Sequence, residues 1–413
     1  MIHFESFQLA NGLQVFVHSD YQTPMAAFNL CYNVGSRDED PNKTGFAHLF
    51  EHLMFGGSMN IPSYDEPLQR IGAENNAFTS PDITNYYITL PADNLETAFW
   101  LESDRMLGLS FDPQVLEVQQ KVVIEEFKQR YLNQPYGDVW LKARPLAYQV
   151  HPYQWATIGR EIAHIEHATL DDVKSFFYGH YAPNNAVLVV AGPVSLDQVK
   201  GLSNKWFGDI PSRSIQPRNL PKEPIQTSAR RLETESNVPM SQIMKMYHMP
   251  GRYEPGYLEL DLLGDLIGRG KSSPFHQKLV KEKEIFHSLS VYTTGSLDPG
   301  LWVISGHVNP GISLTQADEE IEKTLEAILA GGVSEQEVEK VKVQAETSLV
   351  YSEVELLNRA MNLAFAANAG DPAYCQEESS KIQQVSSSKM YEYAHELIHP
   401  TRCSTLYYHA AAK

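Results

Sequence analysis

The residues best suited to chemistry in this chain stand together in the pentapeptide HLFEH at 48–52. It lies in an apolar run at 45–54 that is typical of a helix. On a helix, residues i and i+4 share a face, so the imidazoles of His48 and His52 can reach one metal ion while Glu51 projects beside them. The order is that of the HExxH zinc motif in reverse. The spacing therefore predicts a zinc ion held by two histidines, with a carboxylate beside it that could take a proton from water.

A catalytic zinc ion takes three protein ligands and keeps one position for water. The helix supplies two, so the third must come from another segment. Glu125 and Glu126 are adjacent carboxylates in the helix-like segment VVIEEFK at 122–128. They lie far along the chain from His52, and spacing alone does not decide whether either one returns to the ion.

Other kinds of catalytic apparatus are not indicated. The sequence has no GxSxG nucleophile motif, and its three cysteines, Cys31, Cys375 and Cys403, are isolated from one another. A disulfide framework is therefore not expected, and reduced thiols predict a cytoplasmic protein. We interpret Cys31 and Cys403 as small core residues. The chemistry expected is metal-assisted attack by water, without a covalent intermediate.

Length and charge restrict the class of protein further. A chain of 413 residues exceeds what one hydrophobic core usually supports, so two or more domains are expected. A net charge of -18 would repel a phosphate backbone, and no basic stripe interleaved with aromatic residues offsets it. No stretch approaches the roughly 18 apolar residues of a membrane span, and a secretory signal pattern is not seen at the start. We expect a globular protein that neither binds nucleic acid nor crosses a membrane.

The order of sequence signals indicates two copies of one unit. Pro24 and Pro239 each precede a methionine and a strand-like run, at an offset of 215 residues. Pro183 and Pro400 each stand between a helix-like and a strand-like segment, at an offset of 217. Two distant markers with nearly the same spacing favour a duplication.

Each half mixes helices and strands. The segment AVLVVAG at 186–192 is typical of a buried strand, and residues 76–90 have the patterns of sheet strands. The pairs Thr169–Asp172 and Ser334–Glu337 predict capping boxes that open helices. We therefore predict an α+β fold of two homologous domains, each an antiparallel-rich sheet backed by helices. The predicted limits are 1–212 for the zinc-binding domain, 213–235 for a proline-rich linker and 236–413 for the homologous domain without metal.

The second copy provides an internal control for the zinc hypothesis. Aligning Gly56 with Gly268 puts Leu260 at the position of His48, Leu263 at that of Glu51 and Gly264 at that of His52. The second copy keeps an apolar helix and lacks all of these polar side chains. Because leucine and glycine suffice for the helix there, the histidines of the first copy favour a chemical role.

Taken together, these segments resemble those of the pitrilysin and mitochondrial-processing-peptidase family of inverted-zincin (HxxEH) metallopeptidases. The likeness spans the first half of the chain and, more faintly, the second. The segments that carry it are HLFEH, VVIEE, GAENNAFTSPDITNYYITLP at 72–91, HPYQWATIG at 151–159 and APNNAVLVVAG at 182–192.

The resemblance implies a zinc-dependent peptidase with one Zn²⁺ per chain. The family's third ligand is the second glutamate of the VVIEE segment, which maps to Glu126 and leaves Glu125 pointing elsewhere. Glu51 would be the base that activates the attacking water. Two residues could then support the metal ligands: Glu117, and Gln119, which stands where many relatives carry an acid.

The resemblance also implies how peptide and partner bind. Asn76, Ala77, Phe78 and Thr79 match the family's exposed edge strand, to which substrate adds as a further β-strand. Four homologous domains form a clamshell in this family, within one chain or from two chains of this length. The implied partner is a second two-domain subunit, identical or homologous.

The chain departs from the family at two positions of its second half. Many relatives carry an arginine and, seven residues later, a tyrosine that reach substrate; Val280 and His287 stand there instead. One alternative function is therefore a non-catalytic or weakly active subunit of a hetero-oligomeric complex. Another is a zinc site that is only structural, which an open fourth coordination position would exclude.

Overall fold

Two compact units make up the chain, and each includes a segment from the opposite half of the sequence. The computed structural model describes residues 2–215, 217–332 and 334–411. The first unit consists of Met1–Gln129, Trp155–Leu220 and Val350–Glu378. The second consists of Arg130–Gln154, Pro221–Leu349 and Ser379–Lys413.

Eleven strands form two sheets in the described residues. They are β1 Glu5–Gln8, β2 Gln14–Ser19, β3 Met25–Tyr32, β4 Glu74–Thr79, β5 Thr84–Pro91, β6 Ala186–Gly192, β7 Arg230–Ser236, β8 Gln242–Met249, β9 Phe286–Thr293, β10 Gly300–Val308 and β11 Cys403–Ala410. The first sheet has the order β1-β2-β6-β3-β5-β4, and the second has the order β7-β11-β8-β10-β9. Strand β7 begins inside the segment predicted as the linker.

The helices of the described residues lie between these strands in the sequence. They are α1 Phe46–Leu53, α2 Asp65–Arg70, α3 Leu95–Leu107, α4 Pro113–Phe127, α5 Val139–Ala147, α6 Ile162–Glu166, α7 Leu170–His180, α8 Leu196–Phe207, α9 Tyr257–Gly268, α10 Leu314–Gly331, α11 Glu335–Ser352, α12 Leu356–Asn368, α13 Tyr374–Gln384 and α14 Ser387–Leu397. No helix of the described ranges is both long and apolar enough to cross a membrane.

The two sheets repeat one topology, which confirms the predicted fold class. Strands β2, β6, β3, β5 and β4 have the same order as β7, β11, β8, β10 and β9. The pairs β2–β6 and β7–β11 are both parallel, and the remaining pairs are antiparallel. Strand β1 is an addition to the first sheet. Strands β4 and β9 are therefore equivalent edge strands of their sheets.

The segments from the opposite half of the sequence cover the sheets of the units to which they belong. Helix α12, from late in the chain, packs on β3 and β6 of the first sheet. The Arg359 guanidinium on this helix contacts His18 Nε2 at 2.9 Å and donates to Asp20 Oδ2 at 2.8 Å. Helix α5, from the first half, packs on β7, β8 and β11 of the second sheet. Each sheet thus buries an apolar face against a helix from the opposite half of the sequence. Without that helix, the face would be exposed.

Local predictions from the sequence agree with these elements. Strand β6 is buried along its whole length. Thr169 and Asp172 form the predicted capping box of α7, and Ser334 and Glu337 bond reciprocally at the start of α11. Cys31, Cys375 and Cys403 are buried free thiols.

The duplicated helices α1 and α9 start in the same way. Gly45 precedes α1 at φ 90°, and Gly256 precedes α9 at φ 92°, a left-handed conformation that favours glycine. Aligning these glycines shifts the internal alignment by one residue from the one through Gly56 and Gly268. In this alignment His48 matches Glu259, Glu51 matches Leu262 and His52 matches Leu263. The second copy still has no imidazole at either position.

Candidate metal centre

Helix α1 presents the HLFEH residues on its partly exposed side. Phe46, Ala47, Leu49, Phe50 and Leu53 form its buried face. His48, Glu51 and His52 are half-buried on the other side. The apolar spacing therefore fixes the helix by packing, and the polar residues remain accessible.

The start of α1 is capped by a residue far outside the helix. Gly45 offers no side chain, and the backbone N–H groups of Gly45 and Ala47 donate to the two carboxylate oxygens of Glu39 at 2.9 and 2.8 Å. Glu39 is 6% exposed. Burial raises its pKa to about 8, against the effect of these donors. A buried acceptor at a helix N-terminus satisfies N–H groups that would otherwise lack partners, and so holds the helix at a fixed place.

Residues 155–164, which begin inside the HPYQWATIG segment at 151–159, pack around the same helix end. The Trp155 indole N–H donates to the Ser36 carbonyl at 2.9 Å. Thr44, just before the helix, lies 2.8 Å from His164 Nδ1 through its hydroxyl and accepts from the Arg160 N–H at 2.8 Å. At Gly159, an added Cβ would lie only 3.0 Å from the Thr44 carbonyl oxygen. This segment therefore buttresses the turn that leads into α1.

Helix α4 brings Glu126 to the histidines. It opens with Asp112, whose side chain accepts from the Gln114 N–H, followed by proline in the first turn, and it continues after Phe127 as a π-helical turn. Helices α1 and α4 pack against each other. Glu125 instead accepts a salt bridge from Lys128 at 2.6 Å and is 59% exposed. The two adjacent glutamates thus face different surroundings.

The three ligand atoms have the spacing of a zinc site. Glu126 Oε2 lies 3.6 Å from His48 Nε2 and 3.3 Å from His52 Nε2. In a tetrahedral site with bonds of about 2.0–2.1 Å, neighbouring ligand atoms are about 3.4 Å apart. Among the described residues, these three form the group of His, Cys, Asp and Glu side chains whose ligand atoms converge. Two imidazoles and a carboxylate are a donor set that zinc accepts, so the residues fit the ion.

Glu51 is held beside this group without joining it. Its Oε2 accepts a hydrogen bond of 2.7 Å from the Thr79 hydroxyl on β4. Burial raises the pKa of Glu51, while the hydrogen bonds from Thr79 lower it. The carboxylate is therefore fixed on the side of the strand, next to the ligands and apart from them.

The other residues predicted for the site fall in different places. Glu117 is exposed and bonds Lys121 at 2.6 Å. At about 100° per residue, it lies on the opposite face of α4 from Glu126, whereas Gln119 lies nearly on the same face. Asn76, Ala77 and Phe78 are on β4, the edge strand that pairs with β5.

Two functional contacts have no clear signal in the sequence. Glu39 stands outside the helix it caps and matches no capping pattern. The sequence predicts Thr79 only as part of a strand that binds peptide, and its hydroxyl contact with Glu51 depends on how β4 packs on α1. The alternation of strand residues could have placed Thr79 on one face but could not name its partner.

Comparison with known proteins agrees with this architecture. Residues 14–146 match the model of the insulinase family (peptidase family M16), and residues 167–344 match the model of the peptidase M16 inactive domain. The chain is 31% identical over 354 residues to zinc protease PqqE of Helicobacter pylori, covering 84% of this chain and 79% of that protein. It is 26% identical over 363 residues to mitochondrial-processing peptidase subunit beta of Saccharomyces cerevisiae, covering 84% and 78%.

A solved structure shows the same fold over the whole chain. The crystal structure of a protease from Helicobacter pylori aligns with a TM-score of 0.92 at 28% identity, covering 99% of this chain and 100% of that one. The fold and the two-histidine, one-carboxylate group define the class of inverted-zincin peptidases. This chain belongs to peptidase family M16.

The first prediction concerns the three candidate metal ligands. Replacing His48, His52 or Glu126 with alanine removes one of three ligands, so each variant should lose more than about a hundredfold in zinc affinity, beyond the usual effect of residues behind the ligands. Chelator competition on the purified protein measures this. Glu125→Ala is the matched control because it alters the neighbouring carboxylate, and it should bind zinc as the parent does. Loss of zinc in Glu125→Ala but not in Glu126→Ala would exchange the two assignments.

Proposed function

We propose that this protein is a zinc-dependent endopeptidase with one Zn²⁺ per chain, hydrolysing peptides or unfolded segments within a clamshell chamber. The observation that carries the proposal is the convergence of His48 Nε2, His52 Nε2 and Glu126 Oε2 at the spacing zinc requires. The separate anchoring of Glu51 supports a catalytic site over a structural one, because a structural zinc takes four protein ligands.

Each residue of the site has one role in this proposal. His48, His52 and Glu126 hold the ion. When bound, zinc lowers the pKa of coordinated water and polarises the scissile carbonyl. Glu51 accepts the proton of the attacking water and then donates it to the leaving amine. Attack, proton transfer and loss of the amine complete hydrolysis without a covalent enzyme intermediate.

Strand β4 is the proposed peptide-binding surface. It ends the first sheet, so among the residues that the structure describes one edge of its backbone has no strand partner. A peptide that adds to such an edge is bound mainly through its backbone, which suits extended substrates of varied sequence. In this proposal the peptide lies as an added strand along Asn76, Ala77, Phe78 and Thr79.

The second prediction tests the base. Glu51→Gln keeps the size of the side chain and its hydrogen bond with Thr79 but cannot accept the proton. We expect zinc binding like that of the parent and a loss of at least about a hundredfold in kcat on an unstructured peptide. Near-parental turnover in this variant, at equal zinc content, would show that Glu51 is not the base.

A second candidate function is a weakly active subunit that needs a homologous partner. Two residues favour it. Val280 is partly buried against the core of the second unit, and His287 is exposed on the edge strand β9. Neither offers the guanidinium and phenol that relatives use to contact substrate. A partner subunit, identical or homologous, would complete the clamshell, and only a homologous one could supply this pair.

The third prediction distinguishes these possibilities. An arginine cation and a tyrosine phenol would each stabilise the oxyanion that develops in the transition state. Without them, the loss of stabilisation could be on the order of 2–4 kcal/mol each, or about a hundredfold or more in rate. The purified chain alone should therefore turn over an unstructured peptide well below the ordinary enzyme rate of about 10 s⁻¹. Introducing V280R together with H287Y should raise that rate, with the single His287→Ala change as the control. Turnover near 10 s⁻¹ by the parent chain without a second subunit would instead identify a self-sufficient homodimer.

A further inference from the structure

Strand β4 places alternate residues on two different structural elements. The Phe78 ring packs edge-on against Phe365 of α12, with ring centroids 6.0 Å apart. The next residue, Thr79, contacts α1, where its hydroxyl lies 2.7 Å from Glu51 Oε2 and 3.4 Å from the Ala47 carbonyl oxygen. Successive strand residues point to opposite faces, so the packing of Phe78 on one face directs Thr79 to the other.

The Thr79 hydroxyl is a donor committed to Glu51. A hydroxyl has one proton, and 2.7 Å to a carboxylate is a strong contact, whereas 3.4 Å to a carbonyl is at the limit of a hydrogen bond. The Glu51 carboxylate thus contacts β4 through Thr79, and it is not part of the converging group of His48, His52 and Glu126. Without the hydroxyl, a flexible glutamate side chain would have fewer contacts to keep it apart from the ligands.

We propose that Thr79 is a positioning residue for the Glu51 base, and that β4 thereby couples the base to the docked peptide. This inference rests on the proposed peptidase function. The strand that offers its free edge to the peptide is the strand that holds the base. Because backbone pairing fixes a peptide relative to β4, it also fixes the peptide relative to Glu51. A misplacement of about 1 Å between reacting groups can cost about a hundredfold in rate.

Two substitutions separate the hydroxyl from the rest of the side chain. Thr79→Val keeps the branched shape that suits a strand and removes the donor. Thr79→Ser keeps the donor and removes the methyl group. Neither residue change touches a ligand of the metal, so zinc affinity provides a check that the site is otherwise intact.

The test compares the zinc-loaded full chain with both variants. We expect Thr79→Val to lower kcat on an unstructured peptide roughly tenfold or more with KM within about twofold, and Thr79→Ser to retain most of the parental kcat. Zinc affinity, measured by chelator competition, should be unchanged in both. A raised KM with parental kcat in Thr79→Val would assign Thr79 to peptide binding alone and overturn the proposal.

Crystal structures of both zinc-loaded variants provide a readout that does not need activity. The Glu51 carboxylate should leave its parental position in Thr79→Val and keep it in Thr79→Ser. An unmoved Glu51 in Thr79→Val would overturn the positioning role. If the parent itself hydrolyses no peptide, the proposed function fails, and the position of Glu51 in the two variants still decides whether Thr79 holds it.

Discussion

The contact between helices α1 and α4 is the constraint on which the site depends. Zinc ligands must lie about 3.4 Å apart, and the three proposed ligands come from two helices separated by a long stretch of chain. Helix α1 has eight residues, which is too short to be stable by itself in water. Its position must therefore be imposed by what surrounds it.

Two kinds of interaction impose that position, and burial is the larger. Leu49 and Phe50 are both 0% exposed, and each fully buried side chain of this size contributes about 1.5–3 kcal/mol. An N-terminal cap contributes typically about 1 kcal/mol. Packing therefore sets the stability of α1. The contact with Glu39 fixes where α1 begins along its axis, and therefore where His48 lies.

The duplication allows the proposed metal site to be compared with the equivalent helix of the second copy. Both copies keep the sheet order, the edge strand and the left-handed glycine before the equivalent helix. In α9 the positions equivalent to Glu51 and His52 are leucines that are almost fully buried. The second copy thus uses its helix as core. The first copy keeps polar residues there, although that surface could have been filled with apolar side chains.

The sequence predicts this site well where periodicity or a local motif specifies it. HLFEH on one helix face, the buried strand β6 and the Thr169–Asp172 cap are local patterns and agree with the structure. The choice between Glu125 and Glu126 rested on resemblance, because a helix pattern does not tell which neighbour faces a distant segment. The contacts of Glu39, Thr79 and the exchanged helices α5 and α12 arise from tertiary packing and have no local pattern.

The measurement that most directly tests the central claim is zinc X-ray absorption spectroscopy on the full chain loaded with one equivalent of the metal. A catalytic site built by His48, His52 and Glu126 predicts two imidazoles, one protein carboxylate and a solvent oxygen, with light-atom distances of about 2.0–2.2 Å. A zinc-binding hydroxamate, which replaces the solvent oxygen with two oxygens of its own, should raise the number of light-atom ligands from four to five. A shell filled by four protein ligands, or one containing sulfur, would contradict the account.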